Sequence, residues 1–387
     1  MKIALATIED SASPESFSGI TLLLRRALEA AGAEILPLGP LPNLPGPRER
    51  LLRRMFPAYD RARPVEFSPR RLRQHAALIS ARLAPLQPDV ILARGTWPVA
   101  RLTTNIPVCI WNDATFRLLT DGYRGYNDIT PAAVRHGIAV DTAAFAHARL
   151  LVFSSAWAAQ SAQAHYGVNS DRIRVLALGA NRPSGLSPDQ IQQRITQQDF
   201  AALRLLFIGT EWERKGGDRF VRLVRELETA GVKVDAHMVG PWPPGSFEVP
   251  RSIHCHGRIR QGDTDGDLFL RSLLCSAHFL VLPTRHDCTP VVIPDAYSHA
   301  LPVVASDVGG LPGMITEDTE GMISPFTTDA DFTACARRIA SVYADRSRWS
   351  AMAQHAHRRF AGEMNWTTHA RRLVDALQSL PPAGRCD

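Results

Sequence analysis

Short apolar segments alternate with helical patterns along nearly the whole of this 387-residue chain. The segment HFLVLP at 278–283 is short and uninterrupted, which is typical of a parallel strand covered on both faces. Strands that alternate with helices predict parallel sheets with crossover helices. A chain of this length also exceeds the usual size of a single core. We therefore predict an α/β protein with two doubly wound, Rossmann-like domains.

The predicted elements can be placed along the chain. The strand segments are 2–6, 34–38, 89–93, 107–111, 150–154 and 173–178, then 203–208, 234–239, 253–256, 278–283 and 302–306. Helical patterns in the first half cover 20–31, 69–86, 131–146 and 156–165. Because the segment 181–200 is polar and lacks strand periodicity, it is the predicted boundary. The expected division is a domain at 1–182, a linker at 183–200, a domain at 201–360 and a C-terminal helix within 361–387.

Composition is that of a soluble globular protein, with 45% hydrophobic and 21% charged residues. No apolar run approaches the ~20 residues that span a bilayer. The start MKIALATIED is better explained as a first strand than as a signal peptide, so a cytoplasmic location is expected. The six cysteines are scattered, which favours reduced thiols. His254 and His256 flank Cys255 on a predicted strand, but no third ligand is near them in sequence, so no metal site is predicted.

The positive charge of the chain is concentrated in one segment. Nine arginines and three acidic residues lie between Arg48 and Arg73, which accounts for a charge equal to the +6 of the whole chain. This segment predicts contact with an anionic membrane surface or a lipid-diphosphate acceptor, and the alternative is a solvated helix and loop. Aromatic residues are sparse there and no binding motif appears, so nucleic acid is not an expected partner.

Two carboxylates, Asp287 and Asp295, lie around the predicted start of a helix that follows the strand 278–283. Thr289 is suited to cap this helix and Pro290 to occupy its first turn. Neither carboxylate is needed to hold an anion, so each can accept hydroxyl groups of a sugar or a ribose. The alternative is that Asp287 is a turn residue and Asp295 a solvated helix position.

The same helix start is a predicted phosphate site. The backbone amides of Val291, Val292 and Ile293 would be donors without helical partners, at the positive end of the helix dipole. Such an arrangement suits a phosphate group.

The segment FIGTEWERKGGD at 207–218 follows a predicted strand and opens a helix. Gly209 ends the strand, and Arg214 and Lys215 precede two glycines. Adjacent cations at a glycine-rich helix start can neutralise a diphosphate leaving group without a metal ion. The alternative is a solvated basic cap.

Two positions in the first half are candidates for ligand contact. Gly19 follows the first strand, and a glycine there lets the backbone approach a phosphate or a sugar, although simple turn chemistry is the alternative. Asn112 and Asp113 end the strand 107–111, where Asp113 could accept or orient the proton of an acceptor hydroxyl. Asp113 as an N-cap of the following turn is the alternative.

The segment from Leu282 to Leu311 resembles the donor-binding signature of the family 4 retaining glycosyltransferases, which belong to glycosyl transferase group 1. That signature has two acids separated by seven residues, then a small-residue helix, a PVV strand and a GG turn. Asp287, Asp295, residues 302–304 and residues 309–310 occupy these places. The family usually has Glu at both acidic positions.

Other positions match the family in part. Lys215 and Gly216 match, whereas Thr210 stands where the family has Arg, and Gly313 where it has Glu. The family often has His near the end of strand 107–111, where this chain has Asn112 or Asp113.

The resemblance implies a GT-B fold, with two facing Rossmann-like domains, an interdomain cleft, and a C-terminal helix that returns to the first domain. It implies that Asp295 holds the ribose and Asp287 the donor sugar, while Arg214 and Lys215 with the 291–293 amides hold the diphosphate. Nucleoside contacts are expected around Gly240 and Gly257 to Arg260. Arg285 and His286 could reach the phosphates or the sugar, and Arg285 could equally be a structural ion-pair partner.

The implied reaction is retaining transfer of a hexose from a nucleotide diphosphate sugar, with a UDP-sugar favoured over GDP-mannose. The acceptor would be a hydroxyl of a glycan, a lipid-linked molecule or a small molecule, and neither a metal nor a cofactor is expected. The positions expected to take part in catalysis are Asn112, Asp113, Arg214, Lys215 and Asp287. A sugar-nucleotide epimerase of the same fold and a non-catalytic subunit that binds a sugar nucleotide or a lipid are the alternatives.

Overall fold

The computed structural model describes residues 1–43, 46–55, 67–123, 125–245, 247–259 and 263–380. The chain forms two compact units, one of Met1–Ala177 with Trp366–Asp387 and the other of Leu178–Asn365. Each unit has its own parallel sheet, with helices in the crossovers. The predicted fold class, α/β with two doubly wound domains, is confirmed.

The first unit is built on a sheet of six parallel strands among its described residues, in the order β2-β1-β3-β4-β5-β6. The strands are β1 Lys2–Ala6, β2 Glu34–Pro37, β3 Val90–Arg94, β4 Val108–Asn112, β5 Leu150–Phe153 and β6 Ile173–Val175. The helices are α1 Ile20–Ala30, α2 Pro47–Met55, α3 Pro69–Leu83, α4 Phe116–Leu119, α5 Pro131–His147, α6 Ala156–Tyr166 and, at the C-terminus, α14 Trp366–Gln378. The order of strands reverses next to β1, with β1 and β3 as neighbours.

The second unit also has six parallel strands among its described residues, in the order β12-β11-β10-β7-β8-β9. The strands are β7 Leu203–Ile208, β8 Val234–Val239, β9 Ile253–Cys255, β10 Phe279–Leu282, β11 Val303–Ser306 and β12 Gly321–Ser324. The helices are α7 Pro188–Thr196, α8 Trp212–Lys215, α9 Gly217–Thr229, α10 Thr264–Ser276, α11 Val292–Ser298, α12 Asp329–Ala344 and α13 Arg346–Gly362. This is the Rossmann strand order, and its switch point lies where β7 pairs with β10.

The strand predicted by its apolar run, β10, is buried along its whole length, as a central parallel strand should be. The edge strand β12 (GMIS) is absent from the predicted elements, because four residues with one β-branched side chain give no strand signal. At its start, a Cβ on Gly321 would collide with the carbonyl oxygen of Val303. Glycine therefore lets this edge strand lie close to β11.

The predicted linker at 183–200 is not a simple linker. It contains α7, whose N-terminus is closed by a capping box between Ser187 and Gln190. Ile191 and Ile195, one helical turn apart, are buried in the core of the second unit. Because glutamines surround these two isoleucines, the sequence shows no clear apolar face. The observed division between the units lies at residues 177 and 178.

The C-terminal helix α14 is part of the first unit and packs against α1. Trp366 and His369 lie edge-on to Trp111 of β4. His369 Nδ1 is 2.8 Å from the carbonyl oxygen of Ala177. Burial lowers the pKa of His369 to about 4, so this ring is neutral at physiological pH.

The basic segment from Arg48 to Arg73 is only partly described, because residues 56–66 lie outside the described residues. Arg50 and Arg54 on α2 are exposed. Arg71 on α3 is buried, and its Nη1 donates to the carbonyl oxygen of Pro42 at 3.2 Å. Not every arginine of the segment therefore contributes to a charged surface. Among the described helices, none is long and apolar enough to cross a membrane.

The described cysteines form no disulfide, and Cys386 lies outside the described residues. His254 and His256 both stack on the His237 ring of the neighbouring strand. Asp235 Oδ1 lies 3.4 Å from His237 Nε2 and 3.3 Å from His254 Nε2. No group of three or more His, Cys, Asp and Glu suited to a metal ion was found in the described parts of the chain.

Candidate functional site

Lys215 and Asp287 lie at the switch point of the second sheet. Lys215 ends α8, which follows β7, and Asp287 follows β10, so both come after the carboxyl ends of adjacent strands. In open α/β sheets this is the place where ligands bind. Lys215 Nζ forms an ion pair with Asp287 Oδ2. The two side chains are only 14% and 11% exposed, which strengthens their interaction relative to a surface pair.

Two glycines allow this pair to form. Gly216 has φ +76°, and a Cβ there would collide with the carbonyl oxygen of Pro283, so only glycine lets the two loops approach. Gly309 has φ +58°, and a Cβ there would collide with the carbonyl oxygen of Asp287. The amide of Gly310 donates to the same oxygen at 3.3 Å. The GG turn therefore supports the backbone that carries Asp287.

Arg214 lies beside this pair, but its charge is already balanced. Its Nε and Nη2 donate to Glu211 Oε1 at 2.9 and 2.6 Å. Its Nη1 donates to the carbonyl oxygen of His286 at 3.1 Å. In this structure the guanidinium holds the loop before Asp287, and a role of Arg214 at a diphosphate stays a prediction. His286 itself is half-buried, and its carbonyl oxygen also accepts from Thr284 Oγ1.

Arg285 is a structural ion-pair partner, which was one of its two predicted roles. Its two terminal nitrogens donate to both oxygens of Asp218 at 2.8 and 2.7 Å. This hydrogen bond raises the pKa of Arg285. Burial alone would raise the pKa of Asp218, but the hydrogen bonds and the charge of Arg285, together with the backbone amides of Asp218 and Arg219, outweigh it and the pKa is lowered. The pair joins the start of α9 to the loop that follows β10.

The helix after Asp287 begins later than predicted. Its first residue is Val292, and Val291 is the N-cap in place of Thr289, which is buried. Pro294 explains the shift, because a proline lacks an N–H and fits only within the first turn. The amide of Ile293 donates to the carbonyl oxygen of Pro290 at 3.1 Å and is not a donor for phosphate.

Asp295 has an internal partner in this structure. Its side chain points into the second unit, the residue is 3% exposed, and Oδ1 accepts from the amide of Arg182 at 2.7 Å. One turn later, Ser298 Oγ accepts from the amide of Ser184 at 3.1 Å. Burial raises the pKa of Asp295 to about 6, against the hydrogen bonds from the Arg182 and Asn181 amides. The solvated alternative is therefore wrong, because Asp295 is buried and anchors the start of the unit, and the ribose contact stays a prediction.

Glycines also follow the three neighbouring strands β7, β8 and β9. Gly209 and Gly240 directly follow β7 and β8, and Gly257 comes two residues after β9. The Gly240 amide donates to the Gly257 carbonyl oxygen at 2.9 Å. Arg258 reaches across to the carbonyl oxygen of Thr210 at 3.0 Å. Arg260, a predicted nucleoside contact, lies outside the described residues.

In the first unit, the predicted positions Asn112 and Asp113 lie at the carboxyl end of β4. Asn112 Oδ1 accepts from the amide of Asp113 at 3.1 Å. Asp113 is not an N-cap, because α4 begins after Thr115. Its carboxylate lies 3.6 Å from Arg94 Nη2, at the end of β3.

Arg94 is a residue that sequence reasoning missed. Its guanidinium lies 3.8 Å over the ring of Phe17 and 4.7 Å over Trp111. Phe17, Ser18 and Gly19 have positive φ in succession, so the loop before α1 is held in a conformation that costs free energy for the first two residues. Arg94 thereby joins the loop of Gly19 to Asp113 across the switch point of the first sheet. The signal for it was its place at the end of a predicted strand.

The second unit contains a segment that matches a known protein family. Residues 202–345 match the family described as Glycosyl transferases group 1. The chain is 27% identical over 249 residues to a D-inositol 3-phosphate glycosyltransferase of Geodermatophilus obscurus, covering 60% of this chain and 52% of that protein. It is 32% identical over 85 residues to the sulfoquinovosyl transferase SQD2 of Arabidopsis thaliana, covering 22% and 16%. The chain thus spans about half, or less, of the length of these relatives.

Solved structures match over almost the entire chain. Sucrose-phosphate synthase from Thermosynechococcus elongatus has a TM-score of 0.69 at 16% identity, covering 98% of this chain and 99% of that one. HepE of Anabaena in complex with UDP has a TM-score of 0.64 at 16% identity, covering 98% and 100%. The fold is GT-B. At these identities the likeness shows the fold alone, and the family match covers residues 202–345.

Proposed function

We propose that this chain is a retaining glycosyltransferase that moves a hexose from a nucleotide diphosphate sugar to a hydroxyl of a glycan, a lipid-linked molecule or a small molecule. The observation that carries the proposal is the Lys215–Asp287 ion pair at the switch point of the second sheet. This pair lies within the segment 202–345 that matches the glycosyl transferase family.

The two charges of the pair are complementary to the two parts of such a donor. A diphosphate needs a cation, and sugar hydroxyl groups need an acceptor. On donor binding, Lys215 Nζ would exchange its carboxylate partner for a phosphate oxygen, and the Asp287 carboxylate would then accept hydroxyl hydrogens of the sugar. Both side chains are mostly buried, so each charge needs a partner. The exchange would leave neither of them without one.

Lys215 would act mainly on the leaving group. When the bond from the anomeric carbon to the diphosphate oxygen breaks, negative charge develops on that oxygen, and a cation already in place stabilises it. The acceptor hydroxyl oxygen then bonds to the anomeric carbon on the same face, and its proton passes to the departing phosphate. Retention is inferred from the resemblance of the segment 287–310 to the retaining family. No metal ion is required by this scheme.

A UDP-sugar is favoured over GDP-mannose as the donor. HepE of Anabaena, which has the same fold, has been solved in complex with UDP and with UDP-glucose. Backbone groups of the loops that follow β7, β8 and β9 would then contact the nucleoside.

A panel of UDP-, GDP- and ADP-sugars, each with and without candidate acceptors, tests this proposal. Release of a nucleoside diphosphate together with a new glycoside supports transfer, and the anomeric coupling constant in the proton NMR spectrum of the product reports retention. An altered sugar on an intact nucleotide would instead show an epimerase. If neither product forms and every sugar nucleotide stays unchanged, the proposed activity is contradicted.

A second candidate is a non-catalytic subunit that binds a sugar nucleotide. One observation favours it, namely that Arg214 is paired with Glu211 in this structure, which reduces the positive charge that faces a diphosphate. Calorimetric binding of a sugar nucleotide without turnover, in the presence of the acceptor panel, would select this candidate.

A further inference from the structure

Trp242 is an exposed aromatic side chain at the carboxyl edge of the second sheet. It follows the end of β8 by three residues, and 66% of its surface is accessible. An indole buries a large apolar area when it meets a flat partner, and an aromatic ring stacks well on any nucleobase. Its location and its exposure therefore make it a candidate for ligand contact.

The backbone beside Trp242 carries no side chains at three neighbouring positions. A Cβ on Gly240 would collide with the carbonyl oxygen of Gly209, so the loops after β7 and β8 approach more closely than a side chain allows. The Gly240 amide donates to Gly257, which links the third loop. We call the backbone of Gly209, Gly240 and Gly257 the glycine floor.

The indole lies directly beside this floor. A Cβ on Gly257 would be 3.3 Å from Trp242 Nε1 and 3.5 Å from Cε2, so the ring occupies the space next to a residue that has no side chain. Gly257 also has φ +71°, which disfavours any side chain there. A planar group resting on the floor would therefore meet the indole at one end.

The other end of the floor adjoins the candidate site. A Cβ on Gly209 would lie 2.8 Å from the Cβ of Lys215, so the floor runs from this lysine to Trp242 along one edge of the sheet. A molecule with a diphosphate at one end and a flat ring at the other fits this order of groups. We propose that Trp242 stacks on the base of the donor nucleotide, with the glycine floor beneath it. This inference rests on the proposed function, and its new element is the stacking role of Trp242.

Calorimetric titration with UDP, GDP and ADP tests the inference, with inorganic pyrophosphate as a probe that has no base. Trp242→Ala should weaken binding of the preferred nucleoside diphosphate about tenfold and leave pyrophosphate binding unchanged. Trp242→Phe keeps an aromatic ring and should recover most of the affinity. Leu268→Ala is the matched control, because Leu268 on α10 is similarly exposed at 62%. Circular dichroism checks that each variant is folded.

The failures are distinguishable. If the wild type binds a nucleoside diphosphate and Trp242→Ala binds it equally well, the stacking role is wrong while the proposed function stands. Equal losses for the nucleotide and for pyrophosphate would also overturn the stacking role, because the effect would not depend on the base. If the wild type binds none of the three nucleotides, the proposed function itself fails.

Discussion

Lys215 and Asp287 are mostly buried partners, and the geometry predicts that their effects on stability are coupled. Removing one side chain leaves the other charge poorly solvated, so Lys215→Met and Asp287→Asn should each lower the free energy of unfolding by roughly 2 kcal/mol. The double variant should lose less than the sum of the two. Urea denaturation of the four proteins measures this coupling.

A surface pair of the same unit provides the control. Arg222 and Asp329 form an ion pair in which the side chains are 38% and 94% exposed, well above the exposure of Lys215 and Asp287. The matching cycle of Arg222→Met and Asp329→Asn should show no measurable coupling. Strictly additive effects at Lys215 and Asp287 would mean that the pair does not form in solution.

Asp295 predicts a pH dependence of stability. Burial raises its folded pKa to about 6, above its ordinary value of 3.8. Between these values the native state binds more protons than the unfolded chain, so the contribution of this group to the free energy of unfolding falls as the pH rises. Relative to Asp295→Asn, the wild type should lose up to roughly 3 kcal/mol between pH 4 and pH 7.

Urea denaturation at a series of pH values measures this difference. Asp141→Asn in the first unit should show the same sign, because burial raises the pKa of Asp141 to about 6 as well. A difference between the wild type and Asp295→Asn that is constant over this pH range would refute the buried position of the carboxylate.

At the scale of elements, α7 is a packed helix where a linker was predicted. Ile191→Ala should lower the free energy of unfolding by roughly 2–4 kcal/mol, because the side chain is buried in the core of the second unit. Gln193→Ala, exposed on the same helix, should have little effect. Denaturation curves of the two variants decide the matter, since a flexible linker would tolerate both changes equally.

An element could be predicted when its residue pattern along the chain is distinctive. Strands such as β10 are buried on both faces, so an apolar run in the sequence is sufficient to find them. The start of α11 lies later than Thr289 and Pro290 predict, because Pro294 fits only within the first turn of a helix. The helix α7 was missed because its apolar face consists of only two isoleucines among polar residues.

The contacts of the site residues also differ in whether the sequence alone indicates them. Glu211 lies three residues before Arg214, so this neutralising partner was visible in the sequence. Asp218 and Arg285 are 67 residues apart, and Arg182 and Asp295 are 113 apart. Such pairings depend on the packing of the unit, and no local pattern encodes them. The family-like signature located Asp287, Asp295 and Lys215 but not what each side chain contacts.

At the scale of the whole molecule, the basic segment between Arg48 and Arg73 predicts peripheral contact with anionic membranes. The exposed residues Arg50 and Arg54 on α2 should contribute, each by up to about 1 kcal/mol. Flotation with vesicles that contain anionic lipid should therefore decrease for the variant Arg50→Ala/Arg54→Ala and at high salt. Equal flotation with neutral and anionic vesicles would leave the solvated-face interpretation.

Turnover of a Lys215 variant is the most direct measure of the proposed chemistry. The measurement is steady-state release of nucleoside diphosphate from the preferred sugar nucleotide, for the wild type, Lys215→Ala and the control Arg222→Ala, whose side chain belongs to a pair outside the candidate site. Without the ammonium beside Asp287, the leaving diphosphate loses its stabilising charge, so kcat should fall about 10²- to 10³-fold with an unchanged circular dichroism spectrum. Arg222→Ala should remain close to the wild type. Near wild-type kcat for Lys215→Ala would contradict the assignment of Lys215 to the leaving group.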